Sequence, residues 1–183
     1  MAGDHDKRLN ITITNQLKAI WSIFFVLGLT LFIVALLRFN KSAIIIFSIY
    51  FLADALPTIY LHWKYYRTNK GEEYMVLYDR LVRWKKGKRD EILSSDIKEI
   101  VIRKSASMDK GGIPFLGIES YYCVDVYLKA EMYDDLTLDR LNKPELTLTC
   151  FLSPEIDQEV RKLKNVRFER IRSGFNTVKS TTD

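Results

Sequence analysis

The apolar positions of this chain follow two regimes. Residues 19 to 37, AIWSIFFVLGLTLFIVALL, run without a charge, and residues 42 to 63, SAIIIFSIYFLADALPTIYLHW, hold one fixed charge, Asp54. From Lys64 onward, apolar residues alternate with polar ones in short stretches. Long unbroken runs suit helices in hydrocarbon, whereas a period of two suits strands with one buried face. As a helix the first run is roughly 28 Å long, close to the roughly 30 Å of a bilayer core. Lys18 and Arg38 bracket it, and Lys41 and Lys64 bracket the second. Only Arg38 to Lys41 separates the two, so the reading is an antiparallel hairpin with both chain ends on one side. A cleaved leader is the rival for the first run; that run is long for a leader, and no small-x-small site follows it.

The second regime reads as strands at 73–79, 80–86, 89–93, 97–104, 121–132 and 145–152, with 166–172 as a last short strand or an extended tail. Residues Gly87 and Lys88 mark a turn, and SSD at 94–96 marks another. In YYCVDVYLKAEM the alternation predicts one buried and one wetter face, as in an antiparallel sheet. Residues 105–120 read as a long loop. A helix follows: Ser153 is a suitable N-cap, Pro154 a suitable first residue, and Ile156, Val160 and Leu163 form a narrow apolar stripe. The expected organisation is an N-terminal tail (1–17), a hairpin (18–64, spans 19–37 and 42–63), a mainly-β domain (65–172) and a C-terminal tail (173–183).

The words EEYMVLYDRLVRWKKGKRDEILSSDIKEIVI, YYCVDVYLK and ELTLTCFLSPEIDQEVRKLK, in that order, resemble the bacterial pleckstrin-homology-like (PH-like) membrane proteins. The resemblance covers roughly residues 70–165 and is a pattern of strands and corners, with no catalytic signature. It implies a β-barrel or sandwich of six to seven antiparallel strands, closed by a C-terminal helix and preceded by transmembrane helices. It also implies that headgroup phosphates can bind the first strand–strand loop. In this chain that loop carries Lys85, Lys86, Lys88 and Arg89, with Arg83 just before it.

Charge adds a direction. The 183 residues carry a net charge of +5, with a pI near 9.1. The mean hydropathy of −0.08 conceals the two apolar runs. Lys7, Arg8 and Lys18 before the hairpin and Lys64, Arg67 and Lys70 after it outnumber Arg38 and Lys41 in its turn. The positive-inside rule then places both termini in the cytoplasm, and the resemblance implies that the membrane is a bacterial inner membrane. There, Cys123 and Cys150 are expected as free buried thiols. Polybasic segments near an anionic leaflet gain roughly 1 kcal/mol per cation. The same charges also suit a solvated hairpin that keeps an edge strand from pairing.

Other chemistry is sparse. His5 and His62 are the only histidines, no Cys-x-x-Cys occurs, and the glycines build no phosphate loop. No catalytic residue, metal or cofactor is expected, and no nucleic-acid partner, since no stacking platform or groove-fitting helix is evident. Ile113, Phe115, Leu116 and Ile118 in a glycine-flanked loop suit either core packing or contact with the bilayer or a partner. Asp54 lies inside the second span, where a charged acid costs roughly 2.5–3.5 kcal/mol. Pro57 cannot donate to the carbonyl of Ala53. Gly28 and Thr30 come to a similar depth in span one, so Asp54, Pro57, Gly28 and Thr30 are expected as an intramembrane packing site.

The functional expectation is a membrane-anchored binding or scaffold module that contacts anionic lipid or a membrane protein. The alternatives are an immunity or escort protein that neutralises a membrane-acting toxin or partner, and a small transport or gating subunit that uses Asp54. The oligomeric state is left open.

Overall fold

The computed structural model describes residues 8–38, 40–110, 116–132 and 143–172. Strand β1 (Arg8–Leu9) leads into helices α1 (Ile13–Leu36) and α2 (Lys41–Asn69). Strands β2 (Glu72–Val76), β3 (Arg80–Lys85), β4 (Lys88–Leu93) and β5 (Ile97–Lys104) follow, then the short helix α3 (Ala106–Asp109). A 3-10 turn (Gly117–Ser120), β6 (Cys123–Leu128), a second 3-10 turn (Ala130–Met132), β7 (Leu146–Thr149), α4 (Ile156–Val160) and β8 (Arg167–Arg172) complete the order.

Both long helices begin on side-chain caps that satisfy otherwise orphaned backbone donors. Thr12 Oγ1 accepts from the Asn15 amide at 3.1 Å, and Asn40 Oδ1 accepts from the Ser42 amide at 2.9 Å. Both helices are long and apolar enough to cross a membrane. α2 has 29 residues, or roughly 43 Å of length, more than a hydrocarbon core requires.

The strands form two four-stranded sheets, β1-β2-β3-β4 and β7-β6-β5-β8, and neither closes into a barrel. β3 and β4 are joined by a two-residue turn with positive φ at Lys86 (49°) and Gly87 (77°). That is the type I′ geometry that matches strand twist, and glycine takes the second position without a Cβ penalty. One contiguous core runs through both sheets and onto α2, and includes Leu61, Tyr65, Tyr74, Leu81, Ile100, Tyr121, Val124, Leu148, Phe151 and Ile156.

Several expectations change. Residues 8–17, read as a tail, supply β1 and the first turns of α1, and Leu9 is fully enclosed in the core. β8 is a strand, but it pairs parallel to β5, with Ile100 opposite Phe168. β6 is buried along nearly its whole length rather than on one face. It sits between β5 and β7, and its one acid is neutralised: Asp125 accepts from Arg103 Nε and from Thr147 Oγ1, each at 2.7 Å. The closing helix contracts to Ile156–Val160; Arg161, Lys162 and Leu163 continue in tighter turns that bond three residues back, and the Lys164 amide bonds to the Tyr78 carbonyl.

Candidate functional site at the hairpin–sheet junction

The C-terminal half of α2 is where the hairpin meets the sheets. Its buried residues are Asp54, Ala55, Thr58, Leu61, Tyr65 and Asn69, a stripe at helical spacing. Asn69 lies at the open edge of β7, where unpaired strand groups need partners. Its amide nitrogen donates to the Thr147 carbonyl at 2.9 Å, and its amide oxygen accepts from the Thr149 N–H at 3.0 Å. One side chain thus stands in for a neighbouring strand. Between Asn69 and Asp54, the rings of His62, Tyr65, Tyr121 and Phe151 meet at tilted or edge-to-face angles, with centroids 4.8–6.2 Å apart. His62 Nδ1 lies 3.0 Å from the Tyr121 hydroxyl.

Asp54 takes part in this junction. Its Oδ1 accepts from the Gly117 amide at 2.9 Å, and its Oδ2 has no partner among the described residues. One turn on, Thr58 Oγ1 donates to the Asp54 carbonyl at 2.7 Å. A Cβ on Gly117 would lie 2.9 Å from Thr58 Cγ2 and closer still to its hydroxyl, so only glycine lets this turn approach the helix. The 3-10 turn is itself held in place. Ser105 Oγ donates to the Glu119 carbonyl at 3.1 Å, and Ser107 Oγ donates to the Glu119 carboxylate at 3.2 Å.

The sequence-derived residues therefore separate. Asp54 meets Gly117, not Gly28 or Thr30; Gly28 is exposed, with nothing within 4 Å of where its Cβ would stand. Thr30 is half-buried, and Pro57 lies inside α2, one residue before Thr58. Of the glycine-flanked loop, Ile118 is buried in the core and Leu116 packs against it, while Ile113 and Phe115 lie outside the described residues. The Asp54–Gly117 contact links positions 63 apart. The acid stands out in its apolar run, but nothing in the sequence joins it to Gly117. Asn69 was missed entirely, since a lone Asn at a helix end reads as a stop signal.

The basic cluster is largely neutralised. Arg83 pairs with Asp90 at 2.9 Å, Lys85 with Glu72 at 2.7 Å and Arg89 with Glu91 at 2.5 Å. Lys86 and Lys88, exposed at the turn, make no ion pair among the described residues.

A second feature lies on the other side of the junction. Asn15, Lys18, Ala19, Trp21 and Phe25 of α1 face Met108, Ser120, Tyr122, Cys150 and Pro154 across a cleft of about 400 Å³. Asn15 closes one end by donating to the Phe151 carbonyl at 3.0 Å and the Leu152 carbonyl at 3.3 Å.

The described residues contain no His, Cys, Asp and Glu grouping able to hold a metal ion. Both cysteines are buried free thiols; desolvation pushes the Cys150 thiol up to about 12 and the Cys123 thiol higher, so neither is a ready nucleophile. The junction and its surroundings present apolar surface, bonded backbone groups and, at Lys86 and Lys88, exposed cations. Comparison with protein-family models, with curated proteins and with solved structures gave no match to this chain.

Proposed function

We propose that this chain is a two-span membrane protein whose β domain works as a binding module against the cytoplasmic leaflet of a bacterial inner membrane. The observation that carries the reading is the outer face of the two helices. Trp21, Phe24, Phe25, Leu31, Phe32, Ile45, Ile46, Ile49 and Leu56 are all at least half exposed. Apolar surface of that extent is not left in water by a soluble monomer, and lipid is the solvent that suits it. The β domain needs the hairpin, since Leu61 and Tyr65 of α2 and Leu9 before α1 belong to its core. A domain fused this tightly cannot drift far from the leaflet.

The sequence resemblance to PH-like membrane proteins supports a binding role without catalysis; the two sheets do not close into the barrel it implied. Lys86 and Lys88 are the cations available to anionic lipid; Arg83 and Arg89 are paired with acids of β4, and Lys85 with Glu72 of β2. The Asp54–Gly117 bond favours a structural use of the acid over a transport or gating one.

The test uses full-length protein in vesicles, with an environment-sensitive dye on Lys86→Cys. Emission shifts to the blue when anionic lipid replaces part of a zwitterionic bilayer. The same emission in both bilayers removes the basic turn from the lipid surface.

A further inference from the structure

The β domain limits how much of the hairpin is free to cross a bilayer. The Asp54–Gly117 bond holds the 3-10 turn against α2 at a fixed height. Counted from Lys41, Asp54 stands roughly 20 Å along α2. On α1, Phe25 faces Ser120 of the same turn across the cleft, and it stands roughly 16 Å from Leu36. From that level to the chain ends the β domain flanks both helices: Asn15 bonds to the Phe151 carbonyl, and Leu61 and Tyr65 lie in the core.

Charge decides where the hydrocarbon ends. The Glu119 carboxylate, two residues past Gly117, accepts from Ser107 Oγ at 3.2 Å and ties α3 to the turn. Asp109 of α3 pairs with Arg170 at 3.2 Å and with Arg172 at 2.8 Å, and both arginines are more than half exposed. Lys110, which follows, is exposed as well. Lys104, 4.5 Å over the Tyr122 ring, pairs with Asp157 at 2.7 Å beside the same cleft. A group of charges like this is not left in hydrocarbon. The core boundary therefore falls at this level or nearer the hairpin turn, which leaves arms of roughly 16–20 Å for a core of roughly 30 Å. On the chain-end side of that level the exposed side chains include Trp21, Tyr60 and Trp63, ring types that suit the interfacial zone. Tilting worsens the shortfall, since a tilted arm reaches a smaller height. We infer that the hairpin sits in a bilayer thinned by about 10 Å around the protein, and that the chain selects short-chain, thin membranes over thick ones. The inference rests on the reading that both helices cross the bilayer.

The test measures which lipids the arms select. Phe32 is 61% exposed and lies within the free part of α1. With the 3 native tryptophans changed to Phe, Phe32→Trp reports on the lipid beside it. The full-length variant is reconstituted in brominated dioleoyl phosphatidylcholine mixed with unlabelled phosphatidylcholines of shorter or longer chains. Dimyristoleoyl lipid should relieve the quenching with roughly threefold higher apparent affinity than dioleoyl lipid, and dierucoyl lipid with lower affinity than either. Seven apolar residues added to each arm lengthen it by roughly 10 Å and should move the preference to dioleoyl lipid. Before that insertion, a flat profile, or one that peaks at dioleoyl lipid or longer, overturns the thinning but leaves the membrane reading standing. No quenching in any mixture overturns the membrane reading as well. A polarity-sensitive dye on Lys110→Cys of the otherwise unaltered chain gives a second readout in dioleoyl bilayers. Water-like emission is expected; emission typical of hydrocarbon would sink α3 into an unthinned core and overturn the proposal.

Discussion

The Asp54–Gly117 bond fixes the turn before β6 to the middle of α2, and its removal can be costed from the structure. Asp54→Ala deletes the acceptor at 2.9 Å and leaves the Gly117 amide buried without a partner. An orphaned buried donor costs about 1–3 kcal/mol. The change also removes an acid from an apolar helix, which favours insertion by roughly 2.5–3.5 kcal/mol. That gain is shared by every inserted form, with the β domain folded or not, so it cancels when the domain unfolds on an intact hairpin. The net expectation is a loss of about 1–3 kcal/mol. Each kcal/mol lowers Tm by roughly 4–8 °C for a domain of this size. Asp54→Asn keeps an oxygen in place of Oδ1 and should stay within about 1 kcal/mol of the parent protein. The assay is thermal unfolding of full-length protein in mild detergent, followed by the tyrosine-rich near-ultraviolet circular dichroism of the β domain. If Asp54→Ala melts at the parent temperature, the bond does not hold the junction. If Asn and Ala fall by the same amount, the negative charge, not the hydrogen bond, is what matters.

Other changes probe the same frame. Gly117→Ala drives a methyl into Thr58 and should cost about 1–3 kcal/mol; adding Thr58→Ala should restore part of it, which a double-mutant cycle reads as coupling. Asn69→Leu leaves the Thr147 carbonyl and Thr149 amide on β7 without partners, at about 1–3 kcal/mol for each; amide exchange at Thr149 should quicken more than at Val124 in the sheet centre. Arg172, then Arg170, hold the Asp109 carboxyl below the ordinary carboxylate range. A depressed carboxyl lends stability above its unfolded pKa of about 3.9 and loses it as pH falls through the folded value. Acid should therefore loosen β8 from α3, and Asp109→Asn should flatten that part of a pH–Tm profile. A maleimide should label Cys123 and Cys150 only after denaturation, because both thiols are buried and their pKa values raised.

What the sequence revealed follows from how local each signal is. The two helices were readable because long runs with at most one charge have few alternatives, and the β3–β4 hairpin because a glycine punctuates it, although the turn lies at Lys86 and Gly87, one residue before the expected Gly87 and Lys88. Most strands of the β region showed as period-two runs. The pairing of Arg8–Leu9 with β2 did not, since a two-residue strand carries no period. The parallel pairing of β8 depends on the chain crossing over through α4, which the alternation in VRFERIR cannot express. The junction was half visible. A buried acid in an apolar run signals a bonding partner, and depth along the hairpin pointed to Gly28 and Thr30. The partner proved to be a backbone amide on a distant turn, chosen by tertiary packing that no spacing within the span records. In the basic cluster, composition marked Arg83, Lys85, Lys86, Lys88 and Arg89 alike. Only register separates them, since Lys85 stands opposite Lys88 but beside Glu72 on the other flank.

The claim on which the rest depends is that the two helices cross a membrane as a hairpin, with the β domain on the side of the chain ends. The most direct measurement is labelling of Lys41→Cys in intact bacterial cells by a membrane-impermeant maleimide, with Lys86→Cys as its counterpart. Both positions are exposed, and the native thiols are buried. The account predicts that Lys41→Cys is labelled from outside the inner membrane, and Lys86→Cys only after the cells are opened. Labelling of both from the same side would contradict it.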